Sequence, residues 1–267
     1  MIASLPMYDW PEVKSATDDW WQGLARAFRN EGLADVPTDL LRGGHESNGW
    51  KDSNLLFSQT CGYPYTHGGT DTLQLVATPC YQLDGCEGPD YRSFILCREE
   101  TSVDGLADFK GGRAAINNIG SQSGYSALRA VIAPIANKEA FFGNVMLSGG
   151  HRYSMNMVRR GEADLCAVDS VCYALAKTYV PELLIGLKII ASSPAAPGLP
   201  YVTARAASKD QLKRIQAGTL TAMSDPDLST ARDTLFIGGA RMLTDLDYGR
   251  ILDIEHDAIA LGYPDVS

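Results

Sequence analysis

The sequence predicts an α/β fold, because short apolar runs alternate with helical patterns along most of its 267 residues. Hydrophobic residues make up 45% of the chain and charged residues 21%, so a chain of this length can bury a large core. One linker at residues 193–200 carries three prolines and a glycine. Because proline restricts its own backbone and that of its predecessor, this linker predicts a stiff, extended crossing between two lobes.

The elements follow from the periodicity of the apolar residues. An apolar run at residues 2–7 predicts a first strand, and the spacing of Trp20, Leu24 and Phe28 predicts a helix opened by Thr17 or Asp18. Further strands are predicted at 55–58, 73–78, 91–98, 113–117, 143–147, 164–168 and 187–192. Helices are predicted at 103–109, 123–136 and 151–161, with another ending near 179. Repeated strand–helix alternation predicts parallel sheets covered by helices.

We expect the chain to cross between the lobes twice, near residues 91–97 and 192–202. Residues 208–267 have a helical pattern and lack strands for a sheet of their own, so we expect them to return to the first lobe. The prediction is therefore a first lobe of residues 1–94 and 198–267, and a second lobe of residues 95–197.

The charge of the chain excludes several classes of function. With 23 Lys and Arg against 32 Asp and Glu, the formal net charge is −9. This excess argues against nucleic acid and against docking on an anionic membrane, both of which need clustered basic residues. No apolar run approaches the ~18 residues of a membrane span. A buried pocket can still hold one small anion, because salt screens the surface field within ~8 Å.

Two questions of cellular context stay open in the sequence. Residues 1–10 lack the basic start and long apolar run of a signal peptide, so the chain is either cytoplasmic or has lost a leader. Cys61 and Cys86 lie in glycine-flanked loops and are our preferred disulfide pair in an oxidising compartment. We expect Cys166 and Cys172 to be buried and inert. No spacing resembles a metal or cofactor motif, so neither is expected.

Polar turns follow three predicted strands of the second lobe. Ser121, Gln122, Ser123 and Gly124 open one helix, His151 follows Gly149 and Gly150 at the next, and Asp169 ends a third strand. The N–H groups at a helix start favour an anion, and a histidine there can donate to an oxyanion. Each residue also has a simpler interpretation, as a helix cap or a solvent-facing residue. Three such positions at the carboxyl ends of strands predict one site.

The first lobe offers aromatic and polar residues at loop edges, where rings can enclose an alkyl or ammonium group of a ligand. Ordinary packing at the rim of a lobe explains each of them equally well. The candidates are Tyr8, Trp50, Gln59 and Tyr63, together with Tyr91 at the first crossing.

Several motifs, in order along the chain, resemble the phosphate, phosphite and phosphonate substrate-binding proteins of ABC transporters. They are Leu-Ala-Asp-Phe-Lys-Gly-Gly-Arg at 106–113, Gly-Ser-Gln-Ser-Gly-Tyr at 120–125, Ser-Gly-Gly-His at 148–151, Gly-Glu-Ala-Asp at 161–164, Ala-Val-Asp-Ser at 167–170 and Ser-Pro-Ala-Ala-Pro-Gly at 193–198. The resemblance covers about 90 residues, mainly in the second lobe, and the first lobe matches only loosely.

The resemblance implies a type II periplasmic-binding-protein fold, in which two α/β lobes joined by two hinge crossings close over a ligand in the cleft. It implies capture of a phosphonate, an aminophosphonate, phosphate or phosphite for an ABC permease in the periplasm. Ser121, Gln122, Ser123 and His151 match residues that hold the oxyanion, Asp169 matches a position that helps to hold an amine, and Tyr91 matches a cleft tyrosine. Gln122 departs from the family's usual small hydroxyl residue, which implies an anion pocket of different size or hydrogen-bond pattern. The alternative is a cytoplasmic enzyme on the same fold that acts on a small anionic metabolite.

Overall fold

A computed structural model of the chain describes residues 1–43 and 47–267. The strands, in chain order, are β1 Ile2–Ser4, β2 Leu55–Gln59, β3 Leu73–Tyr81, β4 Cys86–Glu87, β5 Asp90–Tyr91, β6 Ser93–Arg98, β7 Arg113–Ile116, β8 Asn144–Leu147, β9 Leu165–Asp169, β10 Leu187–Ser192, β11 Ala196–Pro197, β12 Tyr201–Ala204 and β13 Ile237–Arg241. The helices are α1 Lys14–Asn30, α2 Ser47–Trp50, α3 Gly62–Thr66, α4 Ala127–Ala136, α5 His151–Arg159, α6 Ser170–Tyr179, α7 Lys209–Ser224, α8 Ser229–Thr234 and α9 Asp245–Ala260.

The chain forms two compact units, each built around one five-stranded sheet. Unit 1 comprises residues 1–82, 87–89 and 197–248, and unit 2 comprises residues 83–86, 90–196 and 249–267. The α/β class predicted from the sequence is confirmed. Residues 249–267 differ from our prediction: they pack in unit 2 and do not return to the first lobe.

The sheet of unit 1 has the order β1-β2-β12-β3-β13. Strands β1 and β2 are parallel, whereas β12 and β13 run antiparallel to their neighbours. The sheet is therefore mixed rather than parallel. Strand β13 was missed from the sequence, because its two central glycines and a register shift remove the apolar alternation that marks a strand.

Helix α1 shows how the first unit fills its core. Trp20, Leu24 and Phe28 are buried as predicted, and the rings of Phe28 and Phe57 lie 5.3 Å apart. The helix begins at Lys14, earlier than predicted, because a 3-10 turn with a proline in its first position leads into it. Thr17 is therefore inside the helix, where its hydroxyl donates to the carbonyl of Val13.

The sheet of unit 2 has the order β10-β6-β9-β7-β8 and places the turns that matter for function. Strand β7 runs parallel to both β8 and β9, while β6 is antiparallel to β9 and β10. The core between this sheet and its helices includes Leu128, Ile132, Phe141, Leu165 and Tyr263. A small third sheet has the order β11-β5-β4. Among the described residues, no helix is both long enough and apolar enough to cross a membrane.

Candidate functional site

Three polar turns of unit 2 meet at one edge of its sheet. Because β7, β8 and β9 are parallel, their carboxyl ends lie side by side. The turn after β7 contains Ser121 and Ser123, the turn after β8 leads into α5 at His151, and β9 ends at Asp169. We call these four residues the Ser-His-Asp cluster. All four are buried, with at most 9% of their surface exposed.

The turn after β7 is a π-turn at Gln122–Ser126 that runs into α4. The N–H of Ser126 donates to the carbonyl of Ser121, five residues back. The hydroxyl of Ser121 accepts from the N–H of Gly124 at 3.0 Å and lies 3.5 Å from the hydroxyl of Ser123. Ser121 is therefore the predicted N-cap, while the wider turn directs the Ser123 hydroxyl toward α5.

His151 joins the three turns through a single nitrogen. Its Nε2 lies 2.9 Å from the hydroxyl of Ser123 and 3.0 Å from Oδ2 of Asp169. Its Nδ1 is buried and has no hydrogen-bond partner among the described residues. A buried polar atom without a partner is costly, so this nitrogen marks a place where a ligand would be stabilised.

Asp169 serves both as a helix cap and as the partner of the histidine. Its Oδ1 accepts from the N–H of Cys172 at 2.8 Å, which caps α6. Burial alone would raise the pKa of this carboxyl group. The hydrogen bond and charge of His151, with the N–H and thiol of Cys172, outweigh burial and lower its pKa, so the carboxylate is ionised at neutral pH.

The chemistry open to the cluster follows from the shared nitrogen. In a Ser-His-Asp relay the hydroxyl and the carboxylate contact opposite nitrogens, so that the base is oriented while it takes the proton. In this chain both groups contact Nε2, an arrangement that suits holding an oxyanion rather than activating Ser123 as a nucleophile. Ligand atoms of His151, Asp169 and Cys172 lie within 4.8 Å of one another, so these three side chains could also hold a metal ion.

The pattern of a known family matches most of the chain. The model of the family described as ABC transporter, phosphonate, periplasmic substrate-binding protein matches residues 57–248, a range that contains the entire Ser-His-Asp cluster. The chain belongs to this family. Its function is accordingly that of a solute-binding protein for a transporter, and the resemblance seen in the motifs is confirmed.

Solved structures with the same fold extend over nearly the whole chain. A Xanthomonas citri protein bound to chloride shares 12% identity at a TM-score of 0.73, with 98% of both chains covered. PhnD1 from Prochlorococcus marinus, in complex with methylphosphonate, shares 14% identity at a TM-score of 0.72 and covers 96% of this chain and 97% of its own. The binding component of a Pseudomonas aeruginosa phosphonate transporter shares 16% identity at a TM-score of 0.71, covering 97% and 87%. No curated protein matches the chain in sequence.

These structures show the type II fold of the substrate-binding proteins and confirm the predicted fold class. The other predicted residues of unit 2 divide between the π-turn and the small third sheet, which contains β5. Gln122 is buried in the π-turn, and Tyr91 is buried in β5. Their contact with a ligand stays a prediction.

The candidates in unit 1 make contacts within that unit. Gln59 is buried and donates to the hydroxyl of Tyr81 and to the carbonyl of Leu199. Tyr8 packs edge-on against Tyr81, with ring centres 5.5 Å apart. The indole N–H of Trp50 donates to the Ser58 hydroxyl at 3.2 Å, and Tyr63 stacks on His67. These contacts agree with the packing interpretation, and a role in ligand binding stays a prediction.

The preferred disulfide is not formed. Cys61 and Cys86 form no disulfide: Cys61 lies in the buried turn that precedes α3, and the sulfur of Cys86 lies 3.2 Å from the hydroxyl of Ser170. The glycine-flanked loops that suggested this pair place Cys61 in unit 1 and Cys86 in unit 2. Cys166 and Cys172 are buried as expected, and burial raises the pKa of the Cys166 thiol, which keeps it protonated.

Two residues at the site were not among the site residues predicted from the sequence. Asn117 begins the turn after β7, and its buried Oδ1 has no hydrogen-bond partner among the described residues. Cys172 supplies the N–H that Asp169 caps, although the sequence suggested only an inert thiol. The position of Asn117 directly after a strand could have revealed it, whereas nothing in the sequence pattern distinguishes Cys172.

Proposed function

We propose that this chain binds a phosphonate at the Ser-His-Asp cluster of unit 2 and delivers it to an ABC permease. The observation that carries the proposal is His151, whose Nε2 contacts Ser123 and Asp169 while its buried Nδ1 has no partner among the described residues. The hydroxyl groups and helix N–H groups donate to the phosphonate oxygens, and the imidazole of His151 adds a further hydrogen bond.

The charge of the cluster favours a small anion that is singly charged or zwitterionic. The four side chains contain one group that can become cationic, His151, and one anion, Asp169. A fully protonated imidazole and an ionised carboxylate sum to zero, so the cluster offers no excess positive charge to a dianion. A ligand that carries its own proton or ammonium group is therefore held with less repulsion from the carboxylate.

We infer that Asp169 acts on the ligand through His151 rather than by holding an amine. Both of its oxygens already accept hydrogen bonds, Oδ1 from the Cys172 N–H and Oδ2 from His151. The carboxylate then holds the imidazole in place for the ligand, because its Oδ2 lies 3.0 Å from Nε2. The family resemblance points instead to the amine of an aminophosphonate, and the two roles give different results in one experiment.

The binding test uses calorimetric titration of the purified chain with methylphosphonate, phosphite, phosphate and 2-aminoethylphosphonate. Ser123→Ala and His151→Gln each remove a hydrogen bond to the anion worth about 1.5–3 kcal/mol, so methylphosphonate affinity should fall about 10- to 150-fold. Ser208→Ala is the matched control, because Ser208 caps α7 in unit 1 by accepting from the Gln211 N–H. The proposal is wrong if none of the four anions binds, or if Ser123→Ala and His151→Gln bind like the wild type.

Asp169→Asn separates the two roles of the carboxylate. If Asp169 holds His151 in position, the variant loses affinity for methylphosphonate and for 2-aminoethylphosphonate by similar factors. If it holds an amine, only the aminophosphonate loses affinity. Phosphorus NMR of methylphosphonate incubated with the chain tests the enzyme alternative, since turnover would produce a new phosphorus resonance and binding alone would not.

A further inference from the structure

We propose that residues 249–267, which lie beyond the part matched by the family, hold the π-turn at Gln122–Ser126 in its binding conformation through Tyr125 and Arg129. We call these residues the 249–267 segment; it contains most of α9 and the chain that follows. The proposal adds positioning residues to the site and rests on the proposed function for its effect on affinity.

The first connection runs through Arg129, one turn into α4. Its side chain is only 3% exposed, although it carries a charge. One Nη donates to the carbonyl of Pro264 at 2.8 Å, and the other lies 2.9 Å from the carboxylate of Glu255. The same guanidinium lies 3.4 Å from the hydroxyl of Ser126, the last residue of the π-turn. Arg129 therefore links the 249–267 segment directly to the end of the turn.

The second connection runs through Tyr125, a residue of the turn itself. Its hydroxyl donates to Oδ1 of Asp265 at 3.0 Å and accepts from the N–H of Val266 at 3.4 Å. The guanidinium of Arg129 lies 5.4 Å from the centre of the Tyr125 ring, within the range of a cation–π contact. Ring, guanidinium and segment thus form one connected group behind the turn.

A π-turn needs such support from outside. Its hydrogen bonds join residues that are five positions apart, and such turns are rare and occur mostly singly, often at functional sites. Surrounding contacts therefore decide whether the turn persists. Ser123 contacts His151 on one side, and two residues later Tyr125 contacts the 249–267 segment. If Tyr125 lost its partner, the turn could relax toward an ordinary α-helical turn, which would move the Ser123 hydroxyl relative to His151.

The experiment compares two tyrosines of unit 2 that each lose one hydroxyl. Tyr125→Phe removes the bonds to Asp265 and Val266, whereas Tyr263→Phe removes two bonds to Ser267 within the segment and leaves the turn untouched. Both rings are buried, so the two variants should lose similar thermal stability. Methylphosphonate affinity, measured by calorimetry below the unfolding transition, should fall at least fivefold in Tyr125→Phe and stay within twofold of wild type in Tyr263→Phe.

Asp265→Ala and Asp265→Asn add a rescue arm. Asparagine keeps an oxygen that accepts from Tyr125, so Asp265→Asn should retain most of the affinity that Asp265→Ala loses. Equal loss in Tyr125→Phe and Tyr263→Phe, or no loss in either Tyr125→Phe or Asp265→Ala, would overturn the proposal.

Hydrogen–deuterium exchange makes the result independent of the ligand. The amides of residues 122–127 should exchange faster in Tyr125→Phe than in wild type or in Tyr263→Phe. If the wild type binds none of the anions, the proposed function fails. Faster amide exchange in Tyr125→Phe than in wild type and Tyr263→Phe would still support the positioning role. Unchanged exchange in that variant overturns it whatever the ligand data show.

Discussion

Replacing Gly124 by alanine tests how closely the backbone of the π-turn must approach its neighbours. A Cβ on Gly124 would lie 2.6 Å from Cγ of Asn117, closer still to the side-chain oxygen of Asn117, and 3.3 Å from Cε1 of His151. The first two contacts are closer than real carbon atoms allow, so Asn117 must move. The third is tight, and the imidazole must also shift by a few tenths of an ångström.

The size of the effect follows from these contacts. Overpacking a buried site costs about 1–3 kcal/mol of unfolding free energy. With roughly 2–4 °C per kcal/mol, the midpoint of thermal unfolding should fall by about 2–12 °C. Moving the imidazole also weakens its hydrogen bond to the anion. A bond worth about 1.5–3 kcal/mol predicts a loss of about tenfold or more in methylphosphonate affinity.

The matched control is Gly120→Ala in the same loop. A Cβ there would lie 3.3 Å from the side-chain oxygen of Asn118 and meet no other atom within 4 Å. Asn118 is in the exposed part of the loop, so it can yield. Thermal unfolding and calorimetric titration of both variants check the reasoning. It is refuted if Gly124→Ala matches wild type in both measurements, or if Gly120→Ala loses as much affinity as Gly124→Ala.

Three further predictions test packing, ionisation and the thiols. Gly218→Ala should lower the unfolding free energy by about 1–3 kcal/mol, because its Cβ would lie 2.7 Å from a buried ring of α1 and 3.3 Å from the α1 backbone. The Cβ of Gly249→Ala would meet no atom within 4 Å, so this variant should raise the unfolding free energy by up to ~1 kcal/mol. Equal denaturation midpoints for the two variants would contradict this. Because the pKa of Asp169 is lowered in the folded chain, its ionisation stabilises the fold above the unfolded pKa of about 4, and this stabilisation is lost as the pH falls further. The difference in unfolding free energy between wild type and Asp169→Asn should therefore shrink from pH 7 to pH 3. A constant difference in urea denaturation would argue against this. Finally, denatured protein prepared without reductant should titrate six thiols with a disulfide reagent, and a count of four would contradict this by showing that one disulfide forms.

The sequence predicted the parts of the fold that depend on local pattern. Apolar runs located β2, β3, β6, β7, β8, β9 and β10, because a strand that packs against helices carries apolar side chains whatever it pairs with. The same pattern failed at β13, where two glycines occupy the strand, and it could not tell parallel from antiparallel neighbours. Strand direction depends on where the chain returns, which no local run of residues records.

The candidate site divides in the same way. Ser121, Ser123, His151 and Asp169 could be found from the sequence, because each follows a strand and begins a helix, and the ends of parallel strands share one edge. That Ser123 and Asp169 contact the same nitrogen of His151 could not be found, since the hydroxyl and the imidazole are 28 residues apart in the chain. Spacing along the sequence carries no information about which nitrogen a ring presents.

By itself, the sequence determined the α/β class, the family and the turns that carry the binding chemistry, because these depend on local periodicity and on short motifs. Only the tertiary structure decided that residues 249–267 pack in unit 2 and contact Tyr125 and Arg129, and that Cys61 and Cys86 are separate thiols. The reason is physical. A helical pattern shows that a segment has an apolar face, but the surface that buries this face is selected by packing and hydrogen bonds between residues more than a hundred positions apart.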